Sequence, residues 1–360
     1  MSRFFVHPEI AHAKTISKDI YLSQEILEES KEKIFSSSWQ YIGDKSRVPD
    51  AGSIFPFTLL EGHLEEPLVL SCDKHLNIHC LSNVCTHRGN LVTYEACKSS
   101  QLRCKYHGRV FDLDGKFRFM PEFEGVQDFP SETDDLKRLP LHSWGNLLFT
   151  SANPTAPAEH FFSKMQKRIE WFPMDKLCYR PDLSAVYPVQ ANWALYCENY
   201  LEGFHIPFVH GSLSAVLDYG NYSTELFRYS NLQLGIGKKG ENCFDLPESS
   251  LDYGKNVAAY YFWVFPNMMF NFYPWGLSLN LVEPTGIDSC RVKFEVFVLD
   301  ERKLQTGAGS GLNQVELEDE EVVQQVQKGI RSRFYKYGRY SISREQGTHH
   351  FHRLLSEFLG

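Results

Sequence analysis

No stretch of this chain stays apolar for the roughly 18 residues that a membrane-spanning helix requires. Nor does any long basic run interrupt its 360 residues, where 37 Lys and Arg stand against 45 Asp and Glu for a net charge of −8. A nucleic-acid face and a membrane partner are therefore not expected. The opening MSRFFVHPEI lacks the apolar core of a secretory signal. Of nine cysteines, seven (72, 80, 97, 178, 197, 243 and 290) are scattered without framework spacing, which suits reduced thiols and a cytoplasmic location. The run Gly235-Ile236-Gly237-Lys238-Lys239-Gly240 has the glycine spacing of a dinucleotide loop, but residues 241–247 do not continue as a helix. It reads as a hairpin loop, and no nicotinamide site is expected. Asn221-Tyr222-Ser223 fits a glycosylation acceptor only for a chain that meets that machinery.

What is present is a pair of metal-ligand motifs. Cys85, His87, Cys104 and His107 stand as Cys-x-His-x16-Cys-x-x-His, the ligand set of a Rieske [2Fe–2S] cluster, with two thiolates on one iron and two imidazoles on the other. Structural zinc sites pair Cys with Cys and His with His, whereas here the two types alternate in both halves. Arg88-Gly89 and Gly108 suit tight loops that bring backbone N–H groups to the sulfurs.

Around these motifs the chain divides by pattern. Residues 23–38 read as a helix, with Ser23 as N-cap and Ile26, Leu27, Ile34 and Phe35 on one side. From about 40 to 150, short apolar runs alternate with turns such as Asp112-Leu113-Asp114-Gly115, as in a small all-β domain. Residues 153–157 form a linker, and a helix with Phe161, Phe162, Met165 and Ile169 follows. Residues 257–265, 268–273, 277–282 and 290–298 read as strands, which makes most of their aromatic residues core. The terminal His349, His350 and His352 sit among Phe351, Leu354, Leu355 and Phe358 at the spacing of a packed amphipathic helix.

The second metal candidate is in the segment 198–210. Trp193, Tyr196 and Tyr200 are at helical spacing, and Glu202 and His205 share a face if that helix continues. Pro207 argues against an unbroken helix to His210, so the chain must fold back for both imidazoles to face one ion. Two histidines and a carboxylate form the facial triad of non-haem Fe(II) oxygenases; alone, the same histidines are also ordinary polar residues.

Taken together, the chain resembles the α subunits of Rieske non-haem iron oxygenases, which include aromatic-ring dioxygenases and choline, glycine-betaine and carnitine oxygenases. The resemblance runs from about residue 20 to the C-terminus and implies an α+β protein. Residues 40–152 would form the all-β Rieske domain. Residues 153–360 would form a helix-grip catalytic domain, an antiparallel sheet plus a long C-terminal helix, and residues 1–39 a helical segment packed on it. Glu202, His205 and His210 match the family's acidic-x-x-His-x4-His motif. Aligning Val326-Gln327-Lys328-Gly329 with the family's Val-Gln-Arg-Gly places Asp319 as the third ligand of the mononuclear Fe(II), with Glu318 second. The neighbouring Glu316, Glu320 and Glu321 would be a solvated helix start.

By the same resemblance, Glu202 links a cluster histidine (His107) of one subunit to an iron histidine (His205) of the next in a homotrimer. Electrons would come from a separate NAD(P)H-dependent flavin reductase, with or without a ferredoxin. Ring-hydroxylating relatives usually carry Asp at the bridge and quaternary-ammonium relatives Glu. This Glu, with residues 259–267, Gly338-Arg339-Tyr340 and the terminal histidines, resembles the choline and betaine enzymes. The implied activity is O2-dependent hydroxylation or N-demethylation of a small N-methylated or quaternary ammonium compound. Ring dihydroxylation and a simple Rieske electron carrier are the alternatives, although a carrier needs only residues 40–150.

Overall fold

A computed structural model describes residues 3–304 and 306–360, which fall into two compact units. Trp39–Pro154 is one; the residues up to Ser38 together with Thr155–Gly360 are the other. Trp39, assigned above to the N-terminal segment, belongs to the β unit because its ring meets His142 edge-on at 6.1 Å.

The first unit is built from short antiparallel sheets. A five-stranded sheet runs in the order Cys97–Lys98, Ser53–Leu59, Glu66–Cys72, Ile78–Ser82, Arg138–Leu139. Its middle strand buries Leu68, Val69 and Leu70 completely, the signature of a strand covered on both faces. A three-stranded sheet joins Gln40–Asp44, Leu147–Thr150 and Leu141–Trp144, and another joins Leu102–Arg103, Val110–Phe111 and Phe117–Phe119. Ile54, Val69, Leu81, Leu102 and Phe111 share one core with Cys85 and Cys104. The sulfurs therefore enter from inside the domain.

The second unit is organised by an eight-stranded antiparallel sheet: β1 (Cys178–Tyr179), β2 (Ala185–Val189), β3 (Ser223–Leu226), β4 (Ser230–Ile236), β5 (Val257–Val264), β6 (Met268–Tyr273), β7 (Gly276–Gly286) and β8 (Ser289–Val298). Sequential hairpins give the order β8-β7-β6-β5-β4-β3, and β1 and β2 both pair with β8. Gly235 and Ile236 end β4, and a long connection rather than a tight hairpin follows to β5. One face of the sheet meets α1 (Ala158–Arg168) and the segment after it, with Phe161 stacked on Tyr229 and Phe172 edge-on to Phe272. The opposite face is gripped by α2 (Trp193–Tyr200), α3 (Leu312–Gly329) and α4 (Gln346–Leu359); Phe351 of α4 packs edge-on to Trp263 of β5.

The N-terminal segment is not one helix. Gln24–Ser30 is α-helical, and Lys31–Phe35 widens into a π turn closed by Ser36 N–H to Lys31 O at 2.7 Å. Ser30, Ser37 and Ser38 return their hydroxyls to carbonyls of the preceding turn, which competes with regular helix bonding. Ser23 occupies the N-cap without a capping side-chain bond. The segment packs on α4, with Tyr21 Oη 3.3 Å from His352 Nε2. His352 also bonds Tyr340, and His349 bonds the His7 carbonyl, so these two histidines are engaged in packing.

Candidate metal centres and substrate cavity

The cysteine motifs form twin loops. Cys85 N–H donates to Asn90 O at 2.8 Å and Gly89 N–H to Cys85 O at 3.0 Å; Cys104 N–H donates to Arg109 O at 2.9 Å and Gly108 N–H to Cys104 O at 3.1 Å. Each loop turns at its glycine, with φ of 73° at Gly89 and 74° at Gly108, the left-handed region that disfavours any Cβ. Both cysteines are buried, while His87 and His107 are half-buried, with ring centroids 4.7 Å apart. Burial pushes the Cys85 thiol up. At Cys104 burial is outweighed by the N–H groups of Tyr106 and His107 and by Asn90 Nδ2, and the thiol lies low. Paired sulfurs facing backbone N–H groups, with two adjacent imidazoles, are a donor set that fits a Rieske cluster.

A buried cation supports the second loop. Arg109 is 2% exposed, donates to Asp134 Oδ1 at 2.6 Å and lies over the rings of Phe117 and Phe129 at 4.8 and 5.6 Å.

In the second unit, α2 ends at Tyr200, so Glu202 and His205 do not share a continuous helix. Glu202 instead folds back over the turn: Oε2 accepts the N–H of Phe204 and, at 3.0 Å, that of His205, while Oε1 is 2.7 Å from His205 Nδ1. Gly203 is required there, because a Cβ would come within 2.6 Å of the Tyr222 ring. His205 precedes the short helix Ile206–Val209, with Pro207 in its first turn, and His210 follows it. This fold-back brings the two Nε2 atoms to 3.1 Å.

The carboxylate arrives on α3. Asp319 Oδ1 is 3.0 Å from His210 Nε2 and 3.5 Å from His205 Nε2. Glu318 lies behind the site, at 2.7 Å from His210 Nδ1. Each imidazole therefore has a carboxylate on its outer nitrogen and presents the inner one to a common point. That is the arrangement that orients metal-bound histidines, and the ligand atoms of His205, His210 and Asp319 lie within 4.8 Å of one another. The donor set fits a mononuclear Fe(II). Burial lowers the His210 pKa, but Asp319 and Glu318 more than offset it, so without a metal it lies above the usual imidazole value.

Two helices are locked to make this possible. Asn192 caps α2 through Ala194 N–H at 3.0 Å, and its own N–H donates to Gln327 Oε1 of α3 at 2.8 Å. One turn apart on α2, Tyr196 and Asn199 meet Glu316 and Asp319 one turn apart on α3: Tyr196 Oη donates to Glu316 Oε2, and Asn199 Nδ2 to Asp319 Oδ1 at 2.6 Å. Glu316, expected above as a solvated residue, is 1% exposed. The acidic group lies beyond the first turn of α3, and Glu316 shares its buried seam with Val323 and Gln327.

A cavity opens beside the His/His/Asp cluster. Strand register supplies one wall: Gln233 opposes Tyr261, Tyr261 opposes Asn271, and Tyr273 follows two residues along the same face. Tyr200 Oη donates to Asn271 Oδ1 at 2.8 Å, and Tyr222 Oη to Gln233 Oε1 at 3.2 Å. Burial raises the hydroxyl pKa of Tyr200, Tyr222, Tyr261 and Tyr273, so these walls remain uncharged. Of the segments likened above to choline and betaine enzymes, only Tyr261 lines this cavity; Tyr340 and the terminal histidines do not. The sequence reading missed Tyr222, Gln233, Asn271 and Glu316. For Gln233 and Asn271 the available signal was an amide in a largely apolar strand; Tyr222 and Glu316 had none.

Comparison with known proteins agrees with both halves. Residues 38–130 match the Rieske [2Fe-2S] domain, and residues 174–360 the ring hydroxylating alpha subunit (catalytic domain). A chloroplastic choline monooxygenase of Arabidopsis thaliana is 29% identical over 371 residues, 96% of this chain and 83% of the relative. The carnitine monooxygenase oxygenase subunit of Escherichia coli (strain K12) is 26% identical over 371 residues, 98% of this chain and 96% of the relative. The crystal structure of a quaternary ammonium Rieske monooxygenase, described for carnitine oxidation by gut microbiota and inter-subunit electron transfer, superimposes with a TM-score of 0.77. It is 21% identical and covers all of both chains. The catalytic-domain match alone takes in more than half of the residues, and the chain belongs to the ring-hydroxylating alpha subunits, oxidoreductases that join a Rieske domain to a domain binding mononuclear iron.

Proposed function

We propose that this protein is the terminal component of a Rieske monooxygenase, hydroxylating or N-demethylating a small quaternary ammonium or N-methylated compound with O2. The observation that carries this reading is the tyrosine-lined, uncharged wall beside the His205, His210 and Asp319 cluster. Each aromatic face stabilises a desolvated N-methylated cation by about 0.5–2 kcal/mol. Choline and carnitine are also the substrates named for the relatives.

His205, His210 and Asp319 would hold the mononuclear iron, and Cys85, His87, Cys104 and His107 the cluster. When bound, the iron supplies O2 activation and the cluster supplies stored electrons. The protein's own contribution is orientation. Glu202 and Glu318 fix which nitrogen of each imidazole carries its proton, and the helix fastenings at Asn192 and Tyr196 hold Asp319 opposite the histidines. The tyrosines and amides exclude bulk water and set one methyl group toward the reacting position. Hydroxylation at an N-methyl carbon gives a hemiaminal that releases formaldehyde.

Glu202 fits an inter-subunit role in a head-to-tail homotrimer. One oxygen sits on His205 and the other is pinned by backbone N–H groups, leaving lone pairs for His107 of a neighbouring copy. Phe204 and Phe208 beside it are 41% and 80% exposed, an apolar surface suited to burial by another subunit. Electrons would reach the half-buried His87 and His107 edge from an NAD(P)H-dependent flavin reductase, directly or through a ferredoxin. Seven cysteines outside the cluster motif, none of them in a disulfide, suit a reducing compartment such as the cytoplasm.

Anaerobically reconstituted protein should hold about three irons per chain. Supplied with a surrogate reductase, it should consume O2 with N-methylated substrates and give formaldehyde or, from choline, the aldehyde hydrate. About two irons per chain would indicate a carrier, and a cis-diol from an arene would indicate a ring dioxygenase.

A further inference from the structure

The cavity's charge is one-sided. Its described lining includes Glu202, Glu316 and Asp319, and no Lys or Arg. These acids are not equivalent. Asp319 faces the two histidines, and Glu202 is engaged by His205 and the backbone, so both are accounted for by the metal centre. Glu316 is different. Its Oε2 accepts from Tyr196, while Oε1 is buried with no hydrogen-bond partner among the described residues. A carboxylate so placed, in a residue 1% exposed, is costly to leave charged without a counter-ion, and burial pushes its pKa up to about 8.

We infer that Glu316 is the counter-charge for the substrate's cationic nitrogen and that the substrate carries no carboxylate of its own. The neighbouring groups agree. Tyr200, Tyr222, Tyr261 and Tyr273 offer aromatic faces to N-methyl groups, and Asn271 and Gln233 offer neutral amides to a hydroxyl. An anionic tail would find no Lys or Arg in the described lining and would meet Asp319 as a like charge. This rests on reading the cavity as the site for N-methylated cations, and it narrows that class to amino alcohols and simple ammonium ions, excluding betaines.

The test is anaerobic titration calorimetry of the iron-loaded holoenzyme with choline, glycine betaine and dimethylbutanol, the uncharged carbon analogue of choline. Choline should bind about thirtyfold or more tightly than either of the others. Glu316→Gln should narrow the preference for choline over dimethylbutanol by about tenfold, with the uncharged analogue reporting any general disturbance of the Tyr196 fastening. Glycine betaine binding as tightly as choline would overturn the inference and leave the N-methylated-cation reading standing. So would an undiminished choline preference in a Glu316→Gln protein that retains its iron. Binding of naphthalene with none of the three probes would overturn both.

Discussion

The two metal centres are built in opposite ways. All four proposed cluster ligands lie between Cys85 and His107, on loops that repeat one backbone hydrogen-bond pattern and turn at equivalent glycines. The proposed iron ligands come from separate elements, with Asp319 109 positions beyond His210, and the fastening of α2 to α3 helps to hold them together. A loop-coded site is specified by local sequence, whereas an assembled site depends on packing partners elsewhere in the fold. The first should therefore fail ligand by ligand, and the second should also fail through its supports.

The sharpest separation comes from one ligand at each centre. Asp319→Ala should abolish O2 consumption and lower the iron content from about three to about two per chain while the Rieske EPR signal persists. Cys104→Ser should erase that signal and leave the mononuclear iron bound. If either variant lost both kinds of iron, the centres would not be independent. Glu202→Gln tests the link between them: an amide can still accept a hydrogen bond but supplies no negative charge. Both metals should remain, and substrate-coupled turnover should disappear; turnover at the wild-type rate would remove Glu202 from the electron path.

The same contrast explains what was legible in the chain. The proposed cluster ligands stood out by spacing because alternating Cys and His on a short loop has few other uses. The fold-back at Pro207 also followed from local chemistry, since that ring disfavours a continuous helix to His210. The four long strands were visible as β-branched and aromatic runs, with alternation in β8, and their ends shifted by up to four residues where β7 runs on through Pro284 to Gly286. The cavity was not visible. Tyr222 enters it from a loop, Gln233 and Asn271 become neighbours of Tyr261 only through cross-strand register, and Glu316 is buried by a tyrosine on another helix. None of those pairings has a local signature.

The loop-coded site has one support of the assembled kind, and it offers an intermediate test. Arg109 is buried under phenylalanine rings and paired with Asp134 across 25 positions. Asp134→Ala would strand that guanidinium and should destabilise the Rieske unit by about 3 kcal/mol, seen as earlier loss of cluster absorbance in denaturant. Burial acts against the Asp134 carboxylate, but Ser131 and Arg109 more than offset it and hold it below the usual carboxylate range. The folded state consequently binds this proton less readily than the unfolded chain. The pair's contribution should be complete above about pH 5 and decline as pH falls through the folded-state value. A cluster unit equally stable with and without Asp134 would show the loops to be self-sufficient.

The smallest effect should come from the outer carboxylate of the assembled site. Glu318 touches His210 Nδ1 at 2.7 Å and also accepts from Gln314 Nε2 at 2.9 Å one turn earlier on α3. Glu318→Gln keeps the size of the side chain and removes its charge, so His210 should remain in place with a less basic inner nitrogen. Supports of this kind typically contribute about 10–100-fold in metal affinity, and competition with a chelator should show a loss in that range with the cluster unchanged. Asp319 would still bind in Glu318→Gln, so iron should be retained when supplied in excess, unlike in Asp319→Ala. An affinity loss as complete as that of Asp319→Ala would instead place Glu318 among the ligands.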